Sequence, residues 1–131
     1  MSLFKKSKIL VIGDAMLDKY TFGTIDRMSP EAPVPILKVQ EEILKPGGAA
    51  NVAANVSSLG IETNLVANVG KDNNGKALSR LIKNLKINLI SNPYEGFKTT
   101  TKTRVISQNQ QLIRIDDDSI DSINSKNTFI S

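Results

Sequence analysis

Short apolar runs alternate along the chain with segments of helical periodicity. The runs "KILVIG" at 8–13, "TNLVANVG" at 63–70 and "INLIS" at 87–91 have the length of strands. Near-continuous apolar runs are typical of strands buried on both faces of a parallel sheet. Because two helical segments separate them, the sequence predicts an α/β fold whose helices cross over between parallel strands.

The two helical segments have recognisable ends. The first segment ends before Gly60, because glycine commonly terminates a helix. Its apolar residues at helical spacing are Ala49, Val52, Ala53, Val56 and Leu59. In the second, a stripe formed by Leu78, Leu81, Ile82 and Leu85 lies opposite Lys76, Arg80 and Lys83. Asp72 or Asn73 can cap this second helix.

The remaining segments predict a second, smaller sheet. Tyr20–Gly23 and Val34–Val39 are interpreted as short strands joined by a proline-containing extended connection. The runs "TTTKTRVIS" and "QLIRI" flank a short polar stretch and predict a hairpin. Since no helix lies between the two strands of either pair, the four strands cannot all join a parallel sheet.

The composition excludes several classes of function. The chain has no Cys and no His, which excludes disulfides, thiol catalysis and histidine-based catalysis or metal binding. Its net charge of +4 comes from dispersed basic residues, so we do not expect nucleic-acid binding. No apolar run approaches the length of a membrane span, and the expected location is the cytoplasm.

The segment Gly70–Ala77 resembles a phosphate-binding loop and fails at its last position. "GKDNNGKA" fits G-x-x-x-x-G-K, but Ala77 has no hydroxyl for magnesium. Asp72 also places a carboxylate where phosphate would bind. The alternative interpretation, a strand-to-helix turn capped by Asp72, is favoured.

A better candidate site follows the first predicted strand. Asp14 and Asp18 lie just past its carboxyl end, which is where ligands bind in open α/β sheets. A carboxylate there can accept strong hydrogen bonds from sugar hydroxyls, although either Asp can equally cap a turn or face water.

The segment "PGGAAN" at 46–51 is a second candidate. Gly47 and Gly48 allow backbone N–H groups to approach a ligand, and Asn51 offers a donor and an acceptor. The alternative is a glycine-rich helix entry with Asn51 as a local cap.

Taken together, these segments resemble the ribokinase (PfkB-type) family of sugar kinases. "GGAANVAANVSSLGIETNLVANVG" fits the N-terminal signature of that family, and "GDAMLD" and "VGKDNNGKAL" stand at its sugar-contacting Asp and its G-x-D-x-x-G turn. "RMSPEAPVP" and "RVISQNQQLIR" are similar to the family's D-glycero-β-D-manno-heptose-7-phosphate kinases of ADP-heptose and lipopolysaccharide precursor synthesis. Met16, where pentose kinases carry Asn, disfavours a ribose-like substrate.

The resemblance implies a ribokinase-like fold with a small β lid over the sugar, its strands at about 19–40 and 99–116, through which two subunits pair as a homodimer. It implies that sugar hydroxyls are held by Asp18, Gly47, Gly48 and Asn51, and Asp14 remains a substrate-binding candidate from its position after the first strand. Arg104 is our candidate for the phosphate of a sugar-phosphate substrate, because its fork matches phosphate geometry. The alternative is a solvated lid residue.

The resemblance also implies that residues 1–131 are the N-terminal portion of one kinase domain. The family carries its ATP site and the catalytic Asp of "GAGD" further along, and no "GAGD" occurs here. ATP and Mg²⁺ are therefore expected cofactors of an intact enzyme, while this chain is expected to bind neither well and to contribute no catalytic or metal-binding residue. The alternative function is a non-catalytic module for sugar-phosphate binding or dimerisation.

Overall fold

The computed structural model describes residues 7–118 and contains two sheets. The elements in chain order are β1 (Lys8–Ile12), β2 (Ala15–Met28), β3 (Pro35–Gly48), α1 (Ala49–Ser58), β4 (Glu62–Val66), α2 (Asn73–Asn84), β5 (Asn88–Ile90), β6 (Thr101–Ser107) and β7 (Gln110–Asp117). β1, β4 and β5 form a parallel three-stranded sheet, and the second sheet, here called the lid sheet, has the order β3-β2-β6-β7. The predicted α/β fold with crossover helices and a small second sheet is confirmed.

Both helices pack on one face of the parallel sheet. Leu65 of β4 and the α2 residues Leu78 and Ile82 are fully buried in a single cluster, together with Ala53 of α1. Burying a leucine or isoleucine side chain contributes about 1.5–3 kcal/mol. This cluster therefore holds the helices to the sheet.

The predicted packing face of α1 is partly wrong. Val52 and Leu59 are 52% and 61% exposed, whereas Ala50 and Ala53 are completely buried. The helix turns its alanines toward the sheet because small side chains allow close approach at native packing density.

On the opposite face of the parallel sheet, the described residues leave apolar side chains exposed. Ile12, Val66 and Ile90 are aligned across the three strands, and Ile12 and Ile90 are 71% and 47% exposed. Both crossover helices lie on the other face, because successive right-handed crossovers in one direction along a sheet place their helices on the same side.

The first two lid strands are longer than predicted. β2 and β3 pair antiparallel from Ala15↔Gly48 to Met28↔Pro35, with irregularities near Phe22 and Ile25. The two prolines within β3 do not interrupt this pairing, because Pro35 begins the strand and Pro46 lies in an edge strand, and proline is tolerated at both kinds of position.

The predicted hairpin of β6 and β7 is confirmed. Its turn residues Gln108 and Asn109 have φ angles of 49° and 64°, as expected for a tight turn whose twist matches the strands. Among residues 7–118, neither helix has the length and hydropathy needed to cross a bilayer.

Candidate functional site

The two predicted aspartates lie on different elements. Asp14 is exposed between β1 and β2, and its backbone carbonyl accepts a hydrogen bond of 2.8 Å from the Ala49 N–H. The prediction that Asp18 lies just beyond the core strand is corrected, because β2 begins at Ala15 and Asp18 is part of it. The Asp18 side chain, 17% exposed, is thus carried by the lid sheet.

The two glycines let the end of β3 approach these aspartates. Gly48 has a φ angle of 57°, and a Cβ there would collide with the Asp14 carbonyl. A Cβ at Gly47 would lie 2.6 Å from Oδ2 of Asp18 and 2.8 Å from the Met16 side chain. A larger residue at Gly48 would therefore displace the Asp14 backbone, and one at Gly47 would displace the Asp18 and Met16 side chains.

Asp18 is paired with Arg104 of the neighbouring lid strand. The Arg104 guanidinium donates from NH1 to Oδ1 of Asp18 over 2.9 Å. It also lies over the Tyr20 ring, 5.2 Å from the centroid, and Lys45 Nζ is 5.3 Å from the same centroid. The hydrogen bond that Arg104 donates to Asp18 raises the pKa of Arg104, so the guanidinium remains charged.

A second set of ion pairs lies beside the first. Asp116 accepts from Lys102 Nζ at 3.3 Å and from Nε and NH2 of Arg114 at 2.9 and 3.0 Å. Burial acts to raise the pKa of Asp116, but the hydrogen bonds from Lys102 and Arg114 outweigh it and lower the pKa.

These ion pairs form one charged cluster on one face of the lid sheet. Asp18, Lys102 and Asp116 are aligned across three strands, and Tyr20, Arg104 and Arg114 form the adjacent row. The cluster comprises Asp18, Tyr20, Lys45, Lys102, Arg104, Arg114 and Asp116. Within it Arg104 and Arg114 are direct cross-strand neighbours, and like charges in that arrangement repel. A bound anion would relieve this repulsion.

A cavity of about 380 Å³ lies where the two sheets meet. It is lined by Asp14, Ala15, Met16, Asn68, Phe97, Thr100, Lys102 and Asp118. Asp14 and Asn68 follow strands of the parallel sheet, whereas Lys102 comes from the lid. Lys102 connects the cavity to the charged cluster, so a ligand in the cavity can reach both.

The structure brings together five of the six predicted site residues: Asp14, Asp18, Gly47, Gly48 and Arg104. Asn51 is exposed in the first turn of α1, and within residues 7–118 no hydrogen bond joins it to the charged cluster.

Sequence reasoning missed Lys102, Arg114, Asp116 and Asn68. The alternation of charges in "TKTR" and "RID" was a detectable signal, since alternate strand residues share a face. Asn68 was detectable as a polar residue at the end of an apolar strand.

The Gly70–Gly75 turn has the favoured structure of a capped helix entry. Asp72 Oδ1 accepts from the Gly75 N–H at 2.6 Å, and Oδ2 accepts from the Thr99 N–H at 2.9 Å. Burial acts to raise the pKa of Asp72, but hydrogen bonds from Thr99 and Gly75 prevail and lower it. The carboxylate occupies the donors that a nucleotide phosphate would need, so this turn does not fit ATP.

The remaining described residues do not fit a magnesium site either. No group of three Asp, Glu, His or Cys side chains within residues 7–118 is placed to hold a metal ion. We therefore assign no residue within 7–118 to Mg²⁺ and none of the Gly70–Gly75 turn to ATP.

The sequence and the fold together define the family. Residues 6–128 match the pfkB family carbohydrate kinase, and the chain belongs to that family. It is 49% identical over 113 residues to the bifunctional protein HldE of Haemophilus influenzae and 45% identical over 116 residues to that of Coxiella burnetii. These alignments cover 86% and 88% of the chain but 24% of each relative. The chain thus spans about a quarter of the length of these curated relatives.

Solved structures of sugar kinases have the same fold. A carbohydrate kinase from Agrobacterium tumefaciens superposes with a TM-score of 0.70 at 24% identity, covering 85% of this chain and 35% of that one. Ribokinase from Thermotoga maritima superposes with a TM-score of 0.58 at 22% identity, covering 84% and 35%. The family resemblance inferred from the sequence is confirmed.

Proposed function

We propose that this chain is the sugar-phosphate-binding part of a cytoplasmic kinase that phosphorylates D-glycero-β-D-manno-heptose 7-phosphate at its anomeric hydroxyl. The reaction would supply ADP-heptose for lipopolysaccharide precursors. Membership of the carbohydrate kinase family and the similarity to HldE support this assignment. The intact enzyme would use ATP and Mg²⁺. Residues 1–131 would be the N-terminal portion of its kinase domain, and the C-terminal half of that domain would hold both cofactors.

The observation that carries the proposal is the charged cluster beside the cavity. Asp18 is an acceptor for sugar hydroxyls, and charge-assisted hydrogen bonds of this kind are strong. Arg104 uses NH1 for Asp18, which leaves other guanidinium donors for phosphate. Lys102 lines the cavity and is a second cation for the same phosphate.

The remaining predicted residues support this site in different ways. Gly47 and Gly48 keep the space around Asp18 and Asp14 open. Asp14 lines the cavity and can accept from a hydroxyl. Asn51, exposed at the start of α1, would reach the sugar from the helix.

Calorimetry and a coupled kinase assay together test this function. We expect the chain to bind heptose 7-phosphate and, with Mg-ATP added, to show no turnover above the blank. A Gly47→Val variant is the matched control for binding, because its side chain would occupy the Asp18 position. Absence of binding by the unmodified chain, or turnover of roughly 1 per second or more, would contradict the proposal.

The face of the lid sheet opposite the charged cluster carries apolar side chains. It favours a second candidate function, a non-catalytic module for sugar-phosphate binding or dimerisation. Val105 is aligned with Ile113, and Thr103 with Ile115. Ile113 and Ile115 are 55% and 52% exposed. A downstream reading frame that encodes "GAGD" would favour the kinase over this alternative.

We propose that two copies of the chain pair through this apolar lid face, because a second copy would bury the exposed isoleucines. Sedimentation velocity at several concentrations should show a discrete dimer that Val105→Lys dissociates. Lys38→Ala, an exposed lid change, should leave the dimer intact. A monomer at high concentration would contradict the pairing, and a polydisperse series would point to the exposed apolar side chains of the parallel sheet.

A further inference from the structure

Asn68 is held firmly at the carboxyl edge of the parallel sheet. The residue before it, Ala67, donates its N–H to the Ile90 carbonyl at 3.2 Å. The residue after it, Val69, donates its N–H to the Ser91 hydroxyl at 2.9 Å. Because hydrogen bonds fix the backbone on both sides of Asn68, its Cα and Cβ have a defined position at the edge of the cavity.

The Asn68 side chain carries an unsatisfied acceptor. Its Oδ1 is buried and has no hydrogen-bond partner, and it is the single buried side-chain N or O atom in this condition within residues 7–118. Buried polar atoms in folded proteins nearly always have a partner, so an exception calls for an explanation.

The cavity supplies that explanation. Asn68 lines it together with Asp14, Met16 and Lys102. An amide oxygen only accepts hydrogen bonds, so its partner must be a donor. A fully ionised phosphate has no donor, whereas a sugar hydroxyl does.

We propose that Asn68 is a specificity-determining residue that accepts a hydrogen bond from one hydroxyl of the bound sugar. This inference rests on the proposed function, because the ligand is the sugar phosphate whose phosphate meets Lys102 and Arg104. Asn68, at the edge of the parallel sheet, then contacts one sugar hydroxyl, while the lid sheet supplies Asp18 for other hydroxyls and Lys102 and Arg104 for the phosphate. A site built to pair a hydroxyl rejects analogues that lack it, because its polar group is left unpaired.

Calorimetric titration of the chain with two probes, heptose 7-phosphate and inorganic phosphate, tests the inference. Asn68→Leu removes the acceptor at similar volume, and we expect its affinity for heptose 7-phosphate to fall about tenfold. Its affinity for inorganic phosphate should be unchanged, because the lid cations are untouched. Asn68→Thr keeps a neutral oxygen acceptor without adding a negative charge near the phosphate, and it should lose less than about threefold.

Each other outcome has a distinct meaning. If the unmodified chain does not bind heptose 7-phosphate, the proposed function and this inference both fail. If it binds and Asn68→Leu binds equally well, the inference fails and the proposed function stands. If Asn68→Leu loses both probes, the residue supports the fold and not the sugar, and the inference is overturned.

Discussion

The parallel sheet and the lid sheet are held together by different interactions. The parallel sheet buries Leu65 against Leu78 and Ile82 of α2, and these side chains are completely shielded from water. The charged face of the lid sheet is instead held by ion pairs such as Asp18–Arg104, whose side chains are 17% and 22% exposed. Buried apolar side chains are concentrated in the first region and ion pairs in the second, an arrangement that suits the proposed binding role of the lid, because binding elements are commonly drawn from the less stable part of a fold.

The comparison predicts that a core truncation in the parallel sheet has the largest effect on stability. Leu65→Ala should lower the free energy of unfolding by about 2–5 kcal/mol, because it leaves a cavity in the buried cluster. Urea unfolding followed by circular dichroism measures this. Leu112→Ala in the lid, where the side chain is 43% exposed, is the matched control and should cost less than half as much. Equal losses would remove the distinction between the regions.

The next largest effect should fall on ligand binding. Asp18→Asn should weaken heptose 7-phosphate binding by about 1.5–3 kcal/mol, because charge-assisted hydrogen bonds to the sugar are lost. Titration calorimetry measures the affinity. Glu42→Gln is the control. Glu42 is aligned with Thr21, which is adjacent in sequence to Tyr20, so Glu42 lies on the lid face opposite the charged cluster. Unchanged affinity in Asp18→Asn would remove this residue from the site.

Asp72 joins the two regions and should have an intermediate effect. Asp72→Ala should cost about 1–2 kcal/mol at neutral pH, because it removes the cap of α2. In the folded chain the pKa of Asp72 lies below the ordinary value of 3.8. The stabilisation by the Asp72 carboxylate is therefore fully present above the unfolded-state pKa, and it is lost as the pH falls through the folded-state pKa. Urea unfolding at several pH values should show the difference from the unmodified chain shrinking below about pH 4. A constant difference, or a similar loss in the exposed lid control Asp26→Ala, would contradict the assignment.

The smallest effect should come from an exposed ion pair of the parallel sheet. Lys8 Nζ lies 2.8 Å from Glu62, and the two side chains are 70% and 60% exposed. Lys8→Ala should therefore change the free energy of unfolding by less than about 0.5 kcal/mol. Chemical denaturation in low and high salt provides the measurement. A loss above about 1 kcal/mol would show that surface charge contributes more than this comparison allows.

The sequence predicted the parallel sheet better than the lid. Its strands and helices follow from apolar periodicity, and the Asp72 cap follows from local chemistry. The α1 face was misjudged because periodicity treats alanine and valine alike, whereas close packing against the sheet selects Ala50 and Ala53. The lid strands were judged too short because their length depends on pairing between β2 and β3, which no local pattern contains.

The candidate site shows the same limit. Asp14, Asp18, Gly47 and Gly48 were predicted because turns and glycines leave local signals and match the family pattern. The pairing of Arg104 with Asp18 joins residues that are distant in sequence, and the clustering of Lys102 with Asp116 depends on strand register. Such contacts are properties of the assembled sheet.

The junction at Gly48 has a mechanical consequence. β3 ends at Gly48 and α1 begins at Ala49, with no loop residue between them. A rotation of the lid sheet therefore cannot be absorbed by slack chain at this point, and it must turn the first residues of α1 or bend the backbone at the glycine. β3 and α1 are therefore coupled through the backbone at Gly48, next to Asp14. A displacement of the start of α1 would also move Asp14, because the Asp14 carbonyl accepts from the Ala49 N–H and Asp14 lines the cavity.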